Sequence, residues 1–160
     1  MHEYTKTVAI VGAAHAESLL CMAALREEHL VDFLLFGDQE RICELAGQLG
    51  IDLGNSIIVP THDDGQSALL ATEAVVAGTV QVLMKGSVHT ADFVRGILDK
   101  ERGLLPEGGV LSHVAQVRLP WYPKPLLITD AAINIQPDFD RKVGMVKNAI
   151  QVARARSEER

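Results

Sequence analysis

Aromatic residues make up 4% of this chain, too few for the stacked platforms on which single-stranded nucleic acids are bound. Positive charge is also scarce: 15 Lys and Arg stand against 21 Asp and Glu, a formal net charge of -6. Neutralising a phosphate backbone needs clustered cations, so no nucleic-acid partner is expected, although an acidic protein can still hold a local basic pocket for a small anion. Only two cysteines occur, Cys21 and Cys43, within apolar helical patterns and without metal-ligand spacing. They read as small buried hydrophobes in a reducing compartment. No stretch approaches the ~18 apolar residues of a membrane helix. The start MHEYTKTVAIVGAA lacks the basic segment and long apolar run of a signal peptide. These absences lead to the expectation of a cytoplasmic protein with no membrane partner. The Walker loop, the G-x-G-x-x-G fingerprint, internal repeats and low-complexity linkers are missing too.

What is present is a regular alternation. The 160 residues are 48% hydrophobic and 22% charged, enough for one full-sized core. Thr7–Gly12 (TVAIVG) reads as a buried parallel strand, and Glu17–Glu28 follows with Leu19, Leu20, Ala23 and Ala24 at helical spacing. Asp32–Gly37 is a second short apolar run. Asp38 then opens a helix carrying Ile42, Leu45, Ala46 and Leu49, with Gly50 at its end. Ser56–Pro60 is a third strand, Thr61–Gln66 a polar loop, and Ala68–Ala77 a third helix. Val82–Met84 reads as a buried fourth strand ending at Lys85-Gly86, before a helix with Phe93, Val94, Ile97 and Leu98. Short strands alternating with helices in this way specify βαβ units, hence an α/β fold with a mainly parallel sheet flanked by helices.

After Gly103 the rhythm changes. VLSHVAQVRL and LLITD are joined by Pro120–Pro125 (PWYPKP), too short a link for a helical crossover, so a late antiparallel hairpin is expected. Beyond Pro137 a last helix carries Val143, Val146, Ala149, Ile150 and Ala153 as an apolar stripe, and the tail RARSEER reads as frayed. This gives an α/β lobe over 1–136 and a helix with a charged tail over 137–160. The stripe is expected to pack on another subunit or close back on its own.

Candidate chemistry gathers at two places. Where the fourth strand feeds its helix, unpaired N–H groups and the helix dipole meet Lys85, Ser87, His89, Thr90 and Arg95, a cradle suited to an anion such as phosphate. The simpler account is that Thr90 caps the helix and Lys85 is a solvated charge. The second cluster is Thr129, Asp130 and Asn134 at the end of the hairpin, where turn and cap roles are the commonest use of such residues. Ligands in α/β sheets sit beyond the carboxyl ends of strands, so the two clusters could share a mouth. Ser112 and His113 invite a dyad, but neighbours in a strand point to opposite faces. His62-Asp63-Asp64 are three consecutive loop residues without partner spacing, and no metal site is expected.

Three segments in order, MKGSVHTADFVRGILDKERGL, GGVLSHVA and LLITDAAINIQPDFDRKVGMVKNAI, resemble the phosphate acetyl/butyryltransferase family, more closely its butyryl branch. The N-terminal strand and helices fit the same pattern, so the resemblance covers essentially the whole chain. It implies acyl transfer between coenzyme A and inorganic phosphate, and two α/β lobes around a cleft in an isocitrate/isopropylmalate dehydrogenase-like architecture. By this resemblance Lys85, Gly86, Ser87, His89, Thr90 and Arg95 bind substrate, Arg95 holding the coenzyme, together with Ser112, His113, Asp130 and Asn134. The coenzyme A thioester is a substrate, and no permanently bound cofactor is implied. Phosphate is itself the nucleophile, so no Ser or Cys nucleophile is required; the chemistry asks for two aligned anionic reactants, oxyanion donors and help for the departing thiolate. Family members are longer, and their second half carries the serine, arginine and aspartate usually assigned to catalysis. The resemblance therefore covers a first half, with no catalytic residue assigned within it. It implies a homo-oligomer or a second polypeptide as partner, the alternative being a non-catalytic coenzyme A/phosphate-binding or assembly module.

Overall fold

The computed structural model describes residues 6–27 and 31–158. The chain divides into two compact units, one ending at Leu104 and the other starting at Leu105. That division falls earlier than residue 136, where the sequence pattern places the end of the α/β lobe.

The first unit is built from β1 (Lys6–Val11), α1 (Ala16–Glu27), β2 (Val31–Gly37), α2 (Gln39–Leu49), β3 (Ile57–Pro60), α3 (Asp64–Val76), β4 (Val82–Lys85) and α4 (Thr90–Ile97). The strands form one four-stranded sheet in the order β3-β2-β1-β4, with every pair parallel. Alternate residues of the two central strands serve opposite faces. Val8, Ile10, Phe33 and Leu35 pack with Leu19 and Met22 of α1 and Ile42 and Ala46 of α2. Ala9, Val11 and Phe36 pack with Ala68 and Ala71 of α3, and Val80 and Val88 complete that second core. Burial on both faces is why β1 and β2 read as continuous apolar runs.

Several expectations shift once the order of the strands is known. β4 is an edge strand, so Val82 is 44% exposed and Leu83 and Met84 only half-buried, rather than a buried strand. Helix α3 starts at Asp64 rather than Ala68, because Asp63 caps it by accepting from the Gln66 N–H at 2.8 Å. Gln66 Oε1 in turn accepts from the His62 N–H at 2.8 Å, so most of the expected polar loop is a capped first turn. Asp38 and Gly50 do cap α2 at its two ends. Cys21 and Cys43 are exposed, not buried: the core sides of α1 and α2 are taken by Ser18, Leu19 and Met22 and by Ile42 and Ala46. Leu20 likewise faces outward. The expected helix end at Glu28 lies outside the described residues.

The second unit holds β5 (Ala115–Leu119), β6 (Tyr122–Ile128) and α5 (Phe139–Glu158). β5 and β6 form an antiparallel pair turned at Pro120-Trp121, with Leu119 opposite Tyr122 and Ala115 opposite Ile128. The hairpin expected from the proline-rich link is present, but β5 starts only at Ala115 and residues 111–114 are irregular. Helix α5 begins under Asp138, whose carboxylate accepts from the Arg141 N–H at 2.8 Å, and runs through the stretch expected to fray as far as Glu158. Its inward side differs from the expected stripe. Met145 is buried, while Val143, Val146 and Ile150 are exposed, Val146 by 53%. Gly144 approaches Val110 so closely that a Cβ would fall 2.8 Å from its Cγ2, and Asn148 bonds to the same segment. A polar anchor thus sets the rotation of α5. Among the described residues, no helix is long and apolar enough to cross a membrane.

Candidate functional site

In the first unit, Lys85 ends β4 and the chain turns against the end of β1. The Gly86 N–H donates to Val11 O at 2.8 Å and the Ser87 N–H to Gly12 O at 2.9 Å. Two glycines make this approach possible. Gly12 has φ +72°, and a Cβ on it would lie 2.5 Å from Val88 Cγ1. A Cβ on Gly86 would collide with Gly12 O. Val88 is buried in the second core and holds the turn down, while Lys85, Ser87, His89, Thr90 and Arg95 are all exposed.

One donor at the start of α4 is already taken. His89, not Thr90, is its N-cap, and makes no side-chain cap. The His89 N–H instead donates to Asp64 Oδ2 of α3 at 2.8 Å. Arg95 is paired with Asp92 one turn earlier. Of the expected cradle, Lys85 keeps a charge with no carboxylate against it among the described residues, its Nζ making a 3.4 Å contact with Gly86 O. Beyond the carboxyl ends of β1, β2 and β3 lies a cavity of about 190 Å³ lined by Gly12, Gly37, Asp38, Thr61, Asp64 and Ser87 among others. Ser87 is the one anticipated residue on its wall. Asp63 and Asp64 are committed to backbone donors, and no His, Cys, Asp and Glu set among the described residues is placed to hold a metal.

In the second unit, Asp130 and Asn134 organise one hydrogen-bonded knot. Asp130 Oδ1 accepts from the N–H groups of Ala132 at 2.9 Å and Ile133 at 3.0 Å. Asn134 Nδ2 donates to Asp130 Oδ2 at 2.6 Å and to Leu111 O at 2.8 Å. Burial pushes the Asp130 pKa up, but donors from Ala132, Ile133, Asn134 and the His113 backbone outweigh it, holding this carboxyl well below the usual range. Such a group organises a loop; it does not take up protons near neutrality.

Ser112 and His113 lie before β5 rather than in it, so the alternation of strand faces does not apply to them. Ser112 Oγ is bonded to Asn148 Nδ2 at 2.8 Å, not to the His113 ring, and the imidazole is exposed. Asn148 also donates to Val110 O at 2.8 Å. Thr129 Oγ1 is buried with no hydrogen-bond partner among the described residues. Lys85, Gly86, Ser87, His89, Thr90 and Arg95 thus form one group in the first unit, and Ser112, His113, Asp130 and Asn134 one group in the second. Asn148 was not anticipated, and Asp64 was considered only within the His62-Asp63-Asp64 metal reading. The signal for Asn148 was a poor helix former midway along a helix; Asp64 gave none beyond lying next to a cap.

A family model described as phosphate acetyl/butaryl transferase matches residues 64–159, which contain both groups. The chain belongs to this family. Among its relatives, the phosphate butyryltransferase of Clostridium beijerinckii is 38% identical over 151 residues, which are 94% of this chain and 50% of that protein. A phosphate acetyltransferase of Rickettsia felis is 33% identical, the match covering 90% of this chain and 41% of the relative. The crystal structure of a branched-chain phosphotransacylase from Enterococcus faecalis superposes with a TM-score of 0.70 at 29% identity, covering 93% of this chain and 51% of that one. The chain therefore spans about half the length of the curated phosphate butyryltransferase relative it matches.

Proposed function

We propose that this chain contributes the substrate-binding part of a phosphate butyryl- or acetyltransferase, acting on an acyl-CoA and inorganic phosphate to give an acyl phosphate and coenzyme A. The observation that carries this reading is the family match over 64–159, the stretch holding both groups of candidate residues. In the reaction a phosphate oxygen attacks the thioester carbonyl carbon, the carbon–sulfur bond breaks and the thiolate leaves. Because phosphate is the nucleophile, the chain needs no activated serine or cysteine for this role.

On this reading Lys85, with no carboxylate partner among the described residues, attracts phosphate, while Gly86 and Ser87 shape the turn that presents it. His89 and Thr90 offer the first polar groups of α4, and Arg95 leaves Asp92 to hold an anionic part of the coenzyme. In the second unit Asp130 and Asn134 hold the loop on which Ser112 and His113 meet the acyl-CoA. The thioester is a substrate, with no cofactor held permanently, and the protein works in the cytoplasm. The two-lobed, isocitrate/isopropylmalate dehydrogenase-like architecture belongs to the same reading, with residues 1–136 in the first lobe and 137–160 opening the second. A second copy or a second polypeptide completes the site.

The half-length coverage of the relatives favours one other reading, a coenzyme A- or phosphate-binding module without turnover. One assay separates the two. Purified protein is mixed with butyryl-CoA and phosphate while free thiol is followed, and coenzyme A is titrated in parallel. Phosphate-dependent thiol release that disappears in Lys85→Ala is the expected result. Binding without release would establish the module instead, and neither binding nor release would sink both.

A further inference from the structure

Two hydroxyls in the second unit have hydrogens without an acceptor among the described residues. Thr129 Oγ1 is buried and unpartnered. Ser112 Oγ accepts from Asn148 Nδ2 at 2.8 Å, which occupies a lone pair and turns the hydroxyl hydrogen away from Asn148. Leaving a buried polar group unmade is costly, so Thr129 Oγ1 calls for a reason, and the half-buried Ser112 hydroxyl stands ready beside it. Both flank one contact: Ser112 precedes His113, Thr129 precedes Asp130, and the His113 N–H donates to the Asp130 carboxylate. The amide of Asn134, by contrast, spends its hydrogens on Leu111 O and Asp130. The two hydroxyls are left over as donors beside this contact.

The neighbouring charge selects what they can receive. Asp130 is held ionised by four donors, so a phosphate brought here would meet a fixed like charge at short range. A neutral carbonyl oxygen takes two hydrogen bonds without that repulsion. We propose that Ser112 and Thr129 donate to a neutral carbonyl oxygen of the bound ligand, and that Asn148 is the positioning residue that orients the Ser112 hydroxyl. The inference rests on the acyl-CoA reading above, in which that oxygen is the thioester carbonyl.

The test compares butyryl-CoA with S-butyl-CoA, a thioether that lacks only the carbonyl, by calorimetric titration of the full chain. The wild-type protein should prefer the thioester by on the order of tenfold, the yield of two modest hydrogen bonds. Thr129→Val and Ser112→Ala should each remove about threefold of that preference, while Thr129→Ser keeps it. Asn148→Ala should reduce it and add nothing further in the Ser112→Ala background. Thr129→Val should also melt above wild type, since a methyl replaces a buried unpaired hydroxyl. Equal affinity for the two ligands in wild type, or an unchanged preference in Thr129→Val, overturns the proposal and leaves the acyl-CoA reading standing. Loss in Thr129→Ser as well, with a lowered melting temperature in Thr129→Val, would assign Thr129 a packing role and also overturn it. Wild-type protein that binds neither ligand overturns both.

Discussion

The backbone N–H of His89 donates to the carboxylate of Asp64, 2.8 Å away and 25 residues earlier in the chain. A helix start that could receive an anionic ligand is thereby occupied by an anion of the protein's own, carried in from α3. Asp64→Asn keeps an acceptor at this position and removes the charge. Phosphate affinity should rise a few-fold, more at low than at high salt, because the repulsion lost is screened. Asp64→Ala removes the acceptor and should cost about 1 kcal/mol, a fall of roughly 2–4 °C in melting temperature. Identical phosphate affinity in wild type and Asp64→Asn, measured by titration calorimetry at two ionic strengths, would falsify this account.

Gly86→Ala tests the closeness of β1 and β4. The added Cβ meets the carbonyl oxygen of Gly12, a backbone atom that cannot swing aside. Destabilisation of about 2–3 kcal/mol is expected, in the range of overpacked sites. In thermal melts this appears as a lower transition temperature, and a transition within a degree of wild type would show that the turn yields.

Asp130 should make stability depend on acid. Its folded pKa is depressed, so its contribution is complete above the unfolded value of about 4 and is lost as pH falls through the folded value. Asp130→Asn has no carboxylate to titrate. The stability gap between wild type and Asp130→Asn, read from urea melts, should be constant from pH 7 to 5 and shrink steadily below pH 4. A gap that does not change between pH 5 and pH 2.5 would contradict the hydrogen-bonded state of this carboxylate.

Phe139, Val143, Val146 and Ile150 recur at intervals of four, three and four along α5, and all are exposed. That spacing is the seam of a helix meeting another helix. If copies of the chain pack through it, wild-type protein scatters light as an oligomer and Val146→Glu as a monomer. Wild-type protein that is monomeric at tens of micromolar removes the seam from consideration.

The parallel layer was readable because burial on both sides forces continuous apolar runs, as in Val8–Val11 and Phe33–Phe36. The edge position of β4 was not, since it depends on β4 returning beside β1, a pairing 74 residues apart at Val8 and Val82. Rotation about a helix axis was read poorly for a related reason. Cys21 lies beside Met22 and Cys43 beside Ile42, and a step of one residue moves a side chain from core to solvent. On α5 an apolar count favours Val146, but Asn148 faces inward because carbonyl and hydroxyl acceptors wait there. For the candidate site, sequence showed which residues carry chemistry but not which of them are already spoken for. Arg95 is held by Asp92, and Asp130 is saturated by its own loop.

The meeting of Gly12 and Gly86 also orders events in time. The turn bearing Lys85 leans on the last carbonyls of β1, so it has no shape until two distant segments have found each other. Contacts so far apart form late, because the chain between them must first give up its freedom. The Lys85 turn therefore takes shape only with or after the pairing of β1 and β4. A fragment that starts after β1 would keep every residue of the turn and lose the turn itself.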